Sequence, residues 1–180
     1  WFDKRMPDLN QRNPQVSNYL IQQAIWWVEY AGIDDFRIDT YTYSDQSFAS
    51  KWCQALREEY PKLAMFGEIW ENAVPVQGFF ADDQPLKRGN FDSNLPGVVD
   101  FQLCFAIQEA LTKETAWTEG ASRIYYVLAQ DYFYKDPYKN LIMLDNHDMT
   151  RFYSHVGQSL DKYKTGMTFL LTTRGTPQIY

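Results

Sequence analysis

Cysteine and histidine are scarce in this sequence, and each shortage excludes a class of protein. The two cysteines, Cys53 and Cys104, are too few for a disulfide framework and lack the close spacing of metal ligands. We therefore expect two buried thiols. The two histidines are His147 and His155, and no second histidine lies near a carboxylate motif, which weakens any metal-site interpretation.

Basic charge, long apolar runs and an initial methionine are also lacking. The 23 Asp and Glu residues outnumber the 17 Lys and Arg residues, and the net charge of -6 argues against a nucleic-acid partner. No apolar run approaches the length that crosses a membrane, and no signal peptide is visible, so the sequence predicts no membrane partner. Because the chain begins at Trp1 and stops at Tyr180, directly after a strand-like run, we expect it to be an excerpt from a longer protein.

Aromatic residues, by contrast, are abundant. Phe, Tyr and Trp together make up 17% of the chain. We expect many of these rings in the core. A surplus of this size also suits a protein that stacks against flat apolar faces, such as those of sugar rings.

Strand and helix patterns alternate along the chain. Strands are predicted at 36–40, 63–69, 98–101, 140–144 and 175–180. Helices are predicted at 14–31, 45–60, 103–112, 120–130 and 163–173, with irregular stretches at 1–12 and 71–97. The alternation predicts an α/β fold made of parallel βα units.

The first predicted strand ends in an arginine and an aspartate on one face. Arg37 and Asp39 are two residues apart, so their side chains point the same way. The guanidinium favours the charged form of the carboxylate, and an oriented, ionised carboxylate can act as a nucleophile or as an electrostatic stabiliser. A purely structural ion pair is the alternative interpretation.

Two further acids, Glu68 and Asp148, stand at the ends of later strands. In an α/β barrel the active site lies at this end of the strands. Two carboxyl groups that meet there can divide the work of glycoside hydrolysis, one as the nucleophile and the other as the general acid. His147, next to Asp148, is placed to donate a hydrogen bond.

Other interpretations of these residues stay open at this point. Glu68 and Asp148 could each contribute to a helix cap. A Zn or Fe site built from His147, Asp148, Asp39 and Glu68 is a second alternative. His155 is expected on a helix surface.

Five short motifs at or near strand ends resemble those of a known enzyme family. They are MPDLN at 6–10, GIDDFRIDT at 32–40, FGEIW at 66–70, LDNHD at 144–148 and GTPQIY at 175–180. Their order is that of the α-amylase family of glycoside hydrolases, family thirteen, and they cover essentially the whole chain. The likeness is to neopullulanases and cyclomaltodextrinases, because many other members have Lys and His where this chain has Thr and Tyr at positions 42 and 43.

The resemblance implies a role for each candidate residue. Asp39 matches the nucleophile, and Glu68 matches the general acid/base. Asp148 matches the carboxylate that stabilises the oxocarbenium-like transition state. Arg37 matches the partner of the nucleophile, and His147 matches a contact to a sugar hydroxyl group.

Three more residues complete the predicted substrate site. Tyr43 and Asn146 are assigned to substrate binding. Trp70 is expected to offer its face to the sugar on the leaving-group side, with a position buried in the barrel wall as the alternative. Asp35 stands where the family commonly has glycine, and the sequence does not explain it.

The resemblance also implies the architecture. Residues 1–180 would be one fragment of a catalytic TIM (β/α)8 barrel, roughly its last five βα units, without the first strands and any flanking domains. Such a fragment leaves two sheet edges unpaired. We therefore expect it to associate with the remainder of its own barrel or with a second copy, and to be inactive by itself.

The functional prediction is a retaining hydrolase of α-1,4-glucosidic bonds in maltooligosaccharides, cyclodextrins or pullulan. The alternatives are a transglycosylase of the same family and a non-catalytic carbohydrate-binding or transporter-associated relative. The resemblance implies no required cofactor. Calcium occurs in the family, but its usual ligands lie largely upstream, and no residue here is assigned to it. The resemblance favours the bacterial periplasm over the cytoplasm.

Overall fold

Helices and short strands alternate throughout the computed structural model, which describes residues 3–86 and 89–180. The strands in these ranges are β1 (Asp35–Ile38), β2 (Ala64–Gly67), β3 (Gly97–Val98), β4 (Leu141–Ile142) and β5 (Thr176–Pro177). The helices are α1 (Pro14–Ala31), α2 (Gln46–Glu59), α3 (Val74–Phe79), α4 (Phe101–Thr112), α5 (Ser122–Leu128), α6 (Phe152–His155) and α7 (Leu160–Thr172), with 3-10 turns at Tyr41–Tyr43, Asp131–Phe133 and Pro137–Lys139. The two predicted irregular stretches include residues 1, 2, 87 and 88, which lie outside the described residues.

The strands run parallel, in the order in which they occur along the chain. β1 pairs with β2 with Arg37 opposite Phe66, and β2 pairs with β3 with Phe66 opposite Gly97. β4 pairs with β5, and a single parallel bridge between Val99 and Leu141 joins the two groups of strands. Within the described residues, the outer edges of β1 and β5 are unpaired. The predicted α/β fold of parallel βα units is confirmed.

Both faces of the sheet are buried at its central strands, as is usual for parallel strands. Met65, Val98 and Ile142 belong to a large cluster that includes residues of the surrounding helices. Phe66 and Val99, their neighbours in sequence, belong to a smaller cluster on the other face. Because side chains alternate between the faces of a strand, the central strands β2 and β4 contribute to both cores.

Local signals at both ends set the bounds of α1. The side chain of Asn13 accepts a hydrogen bond from the Gln15 N–H, and a proline occupies the first helical turn. The helix ends at Gly32, whose φ of +62° is the left-handed conformation that favours glycine and whose N–H donates to the Val28 carbonyl. The predicted helix is thereby confirmed. Neither α1 nor any other described helix is long and apolar enough to span a membrane.

Two short helices occupy positions where the sequence predicted none. α3 lies inside the stretch predicted to be irregular, and α6 follows the loop after β4. In α3, Pro75 occupies the first turn, where proline is tolerated. Gly78 allows close packing, because a Cβ added there would lie 2.9 Å from the Cβ of Phe133. Pro75 and Gly78 are residue types that predict an irregular stretch, but here Pro75 starts the helix and Gly78 allows it to pack against Phe133.

The two thiols are buried, as predicted. Cys53 and Cys104 are both fully inaccessible to solvent. Burial raises the pKa of the Cys53 thiol to about 12, so this group stays protonated and unreactive at neutral pH.

A buried arginine that the sequence analysis did not single out links three segments. Arg174 lies between α7 and β5, and its Nη1 donates to Asp100 Oδ2 at 2.7 Å. Its Nε donates to Asp131 Oδ2 at 2.7 Å. Asp100 also caps α4, since its Oδ1 accepts from the Leu103 N–H at 2.9 Å. One guanidinium thus fixes the start of α4, the turn at Asp131–Phe133 and the approach to β5.

Candidate active site

Arg37 connects the first two predicted acids across neighbouring strands. Its guanidinium donates to Asp39 Oδ1 at 2.8 Å and to Glu68 Oε1 at 2.6 Å. Asp39 follows β1 and Glu68 follows β2, and the register places Ile38 opposite Gly67. Both acids therefore leave the sheet at its carboxyl-terminal edge. The ion pair predicted between Arg37 and Asp39 is present, and its extension to Glu68 was not predicted.

The backbone after β1 holds the carboxylate of Glu68 from a second direction. Glu68 Oε2 accepts a hydrogen bond from the Thr40 N–H at 2.7 Å. Thr40 has a φ of +47°, a left-handed conformation that residues other than glycine rarely adopt. The side chain of Glu68 is 8% exposed. Both of its oxygens are therefore engaged in a nearly closed environment.

Asp148, by contrast, is held by its own loop. Its Oδ2 lies 3.1 Å from His147 Nε2, and its N–H donates to Asn146 Oδ1 at 2.9 Å. Its side chain is 48% exposed. Asn146 itself is buried, and its side chain fixes the turn that carries Asp148. Its contact with substrate stays a prediction.

The three acids line one cavity. Its volume is about 490 Å³, and its lining residues are Met6, Asp39, Thr40, Thr42, Tyr43, Glu68, Trp70, Glu71, His147 and Asp148. Of the predicted substrate contacts, the cavity includes Tyr43, Trp70 and His147. Arg37 is not among the lining residues, so its contacts are with the acids themselves. The cavity brings together side chains from the ends of three strands.

Trp70 is held against the first helical turn after β3. Its ring stacks on that of Phe101, with centroids 4.5 Å apart and planes 22° apart. Trp70 is 44% exposed and lines the cavity, which favours the predicted role over the alternative position buried in the barrel wall.

Four lining residues were not predicted as contacts. Thr40 and Thr42 closely follow Asp39, and Glu71 directly follows Trp70. Closeness in sequence to the predicted acids was the signal that could have found these three. Met6 comes from a distant loop, and only its place in the motif at 6–10 pointed to it.

The competing interpretations of the acids lack the required geometry. Asp145, not Asp148, meets the start of α6, since its Oδ2 accepts from the Phe152 N–H at 2.6 Å. Glu68 bonds to Arg37 and Thr40 rather than to a helix start. Within residues 3–86 and 89–180, no three His, Cys, Asp or Glu side chains come together as metal ligands would.

The structure also locates two residues outside the cavity, Asp35 and His155. Asp35 begins β1 and is exposed, at the opposite end of the strand from Asp39. The carboxylate of Asp35 is therefore accessible to solvent and lies away from the cavity. His155 ends α6 and is exposed, as predicted.

Relatives of known sequence resemble the chain along its whole length. The family model described as alpha amylase, catalytic domain, matches residues 1–180. A cyclomaltodextrinase from Geobacillus thermopakistaniensis is 30% identical over 180 residues, which cover 99% of this chain and 28% of the relative. A maltogenic alpha-amylase from Bacillus acidopullulyticus is 27% identical over 183 residues, again 28% of its length. The chain thus spans less than a third of these curated relatives.

The fold of this chain resembles that of solved structures. The alpha-amylase from Geobacillus thermoleovorans, whose crystal structure holds acarbose, superposes with a TM-score of 0.78 at 29% identity, covering 95% of this chain and 37% of that one. A cyclomaltodextrin glucanotransferase superposes with a TM-score of 0.80 at 28% identity, covering 96% and 33%. These likenesses agree with the parallel strand order and with part of an α-amylase barrel. With the match over residues 1–180, they show that the chain belongs to the alpha-amylase catalytic-domain family.

Proposed function

We propose that the complete protein carrying this chain is a retaining glycoside hydrolase that cleaves α-1,4-glucosidic bonds in maltooligosaccharides, cyclodextrins or pullulan. The observation that carries the proposal is the convergence of Asp39, Glu68 and Asp148 on one cavity, with Arg37 bonded to the first two. The names of the relatives, cyclomaltodextrinase and maltogenic alpha-amylase, support the class of substrate.

In the first step, Asp39 attacks the anomeric carbon while the bond from that carbon to the glycosidic oxygen breaks. Glu68 gives its proton to the departing oxygen, so that a neutral hydroxyl group leaves and a glycosyl ester of Asp39 remains. Asp148 stabilises the positive charge that develops on the sugar ring.

In the second step, water attacks the same carbon, Glu68 takes its proton and the bond to Asp39 breaks. Two displacements restore the original anomeric configuration. This pathway needs carboxyl groups about 5–5.5 Å apart. A single guanidinium bonded to both carboxylates supports a short separation. No cofactor takes part in the proposed reaction, because the two carboxyl groups supply the nucleophile and the proton.

Proton donation requires a change in the contacts of Glu68. Its two oxygens accept from Arg37 and Thr40, so one of these bonds must be released as Glu68 turns to the glycosidic oxygen. Substrate entering the cavity would supply the replacement contact. The arrangement described above is thus the resting state of the proposed acid.

The proposed catalytic domain is larger than this chain. The five strands would be the last five of an eight-stranded barrel, with the remaining strands pairing with the open edges of β1 and β5. A second copy of the chain is the other way of covering these edges. In either case the 180 residues alone would not complete the substrate groove.

The test compares wild-type complete protein with Asp39→Asn on cyclodextrin and pullulan. The substitution removes the nucleophile and changes the volume little, so activity should fall by several orders of magnitude. Asp35→Asn is the matched control, because it makes the same change at the exposed end of the same strand. NMR of the released sugar should show the α-anomer first. Undiminished activity in Asp39→Asn, or early release of the β-anomer, would contradict the mechanism.

The same assays separate the alternatives. A transglycosylase would give transfer products at high substrate concentration, because a sugar hydroxyl group would replace water in the second step. A non-catalytic relative would bind α-glucans without cleaving them. The three acids lining one cavity favour catalysis over binding alone.

A further inference from the structure

The cavity holds a fourth carboxylate that the proposed mechanism does not use. Glu71 lines it together with the three acids. Asp39, Glu68 and Asp148 each bond to a neighbouring residue. The side chain of Glu71 is exposed, and within the described ranges its carboxylate has no hydrogen-bond or ion-pair partner. Its capacity to accept hydrogen bonds is therefore free for a ligand.

The main chain fixes the position of Glu71. Its N–H donates to the Ile69 carbonyl at 3.0 Å, and its own carbonyl accepts from Gln102 Nε2 at 2.7 Å. Gln102 is buried in α4, so its amide is a firm anchor. Trp70, the preceding residue, stacks on Phe101 of the same helix. Both cavity residues are thus attached to the first turn of α4.

This position defines the part of the substrate that Glu71 meets. Glu68, the proposed acid, protonates the leaving oxygen, and Trp70 and Glu71 follow it closely in the chain and line the same cavity. We therefore assign the sugar beyond that oxygen to the side lined by these two residues. An aromatic face suits the apolar face of a sugar ring, and a carboxylate accepts hydrogen bonds from neighbouring hydroxyl groups.

We infer that Glu71 is a specificity-determining residue that binds hydroxyl groups of the sugar on the leaving-group side. The same position receives an incoming sugar in the second step. Glu71 therefore sets how often the glycosyl-enzyme is transferred to a sugar rather than to water. This inference rests on the proposed function.

The test uses α-maltosyl fluoride as the donor and maltose as the added acceptor, with the complete protein. The bond between the anomeric carbon and fluorine breaks as the ester to Asp39 forms, so fluoride leaves and no sugar leaving group is needed. The ester then reacts with water or with a maltose hydroxyl group, and Glu68 takes the proton in either case. Fluoride release reports total turnover, and the amount of transfer product formed per fluoride released reports the partition, with hydrolysis as the remainder.

Glu71→Gln should lower the ratio of transfer to hydrolysis about tenfold, because the variant loses a charged acceptor, and should lower fluoride release without acceptor by much less. Glu71→Asp, which keeps the charge on a shorter side chain, should recover part of the ratio. Glu114→Gln, in the exposed loop after α4, is the matched control and should behave as wild type.

Two results would overturn the inference. One is an unchanged ratio in Glu71→Gln, which would make Glu71 a solvated carboxylate. The other is an equal loss of fluoride release and transfer, which would indicate a general disturbance of the site. Absence of fluoride release from the wild type would overturn the proposed function, and the inference with it.

Discussion

The two halves of the candidate site hold their acids by different means. In the half after β1 and β2, Arg37 joins Asp39 to Glu68 across two strands. In the half after β4, Asp148 contacts only its sequence neighbours His147 and Asn146 among the contacts described above. Strand register therefore sets the geometry of the first half, whereas a local turn sets that of the second.

Glu68 is the one buried acid of the three, since the side chain of its neighbour Asp39 is 65% exposed. The side chain of Glu68 is 8% exposed and that of Asp148 is 48% exposed. A buried charge depends strongly on its partners, because water cannot replace them. We therefore expect the first half to respond much more strongly than the second when one partner is removed.

Among the substitutions that test this comparison, the largest effect is expected for Arg37→Lys. A single ammonium group cannot donate to Asp39 and Glu68 in the fork geometry of a guanidinium. We expect kcat/KM on cyclodextrin to fall about 100-fold, since small displacements of catalytic groups have effects of this size. The free energy of unfolding should fall by about 2 kcal/mol. Steady-state kinetics and urea denaturation of the complete protein measure the two quantities.

Arg57→Lys is the matched control for that change. Arg57 pairs with Asp82 at 2.8 Å, and the side chain of Asp82 is 7% exposed, close to the value for Glu68. The substitution should lower stability and leave kcat/KM unchanged. An equal loss of activity in both variants would mean that Arg37 matters for stability alone.

A smaller effect is expected for Asn146→Ala in the second half. The substitution removes the acceptor of the Asp148 N–H. We expect kcat/KM to fall about tenfold and the free energy of unfolding to fall by about 1 kcal/mol. Asn146→Ser keeps an oxygen acceptor and should recover part of the activity. A loss as large as that of Arg37→Lys would show that the two halves depend equally on their partners.

The smallest effect is expected for Asp45→Asn, outside the cavity. Hydrogen bonding to Arg12, and then to the Phe48 N–H, lowers the pKa of the Asp45 carboxyl below its usual 3.8. The folded-state pKa lies below the unfolded one, so the charged carboxylate stabilises the fold above pH 3.8, and this contribution is lost as pH falls through the folded-state pKa.

Asp45→Asn should therefore lower the free energy of unfolding by about 0.5 kcal/mol at neutral pH, and the difference should disappear in acid. Urea denaturation across the acid range measures it. We expect kcat/KM to stay at the wild-type value, because the strands, not this loop, position Asp39 and Glu68. A difference that persists in acid would assign the effect to helix capping rather than to charge.

Features with local signals could be predicted from the sequence. Asn13 and Gly32 mark the two ends of α1, and each acts through its own backbone contacts. Arg37 and Asp39 could be paired because a strand places alternate residues on one face. The family motifs predicted the order of the strand ends, and that order predicted that the three acids share one cavity.

Features that depend on packing or on backbone conformation could not be predicted in this way. The bond from Arg37 to Glu68 requires the register of β1 on β2. No feature of the sequence indicates the left-handed conformation of Thr40. In the structure this conformation accompanies the hydrogen bond from the Thr40 N–H to Glu68. The burial of Asn146 and its bond to the Asp148 N–H depend on the conformation of the turn, which the motif at 144–148 does not reveal.

The buried pair of Asp100 and Arg174 has a consequence for the order of folding. It joins residues 74 positions apart, whereas Arg37 and Glu68 are 31 apart. Doubling a loop adds only about 0.6 kcal/mol to the entropy of closing it, but contacts of high sequence separation slow folding. We therefore expect the β1–β2 unit to form early and β5 to dock late, when Arg174 reaches its two carboxylates. Until then the free edge of β4 is open to pairing with other chains, which makes the last strand the step most exposed to aggregation.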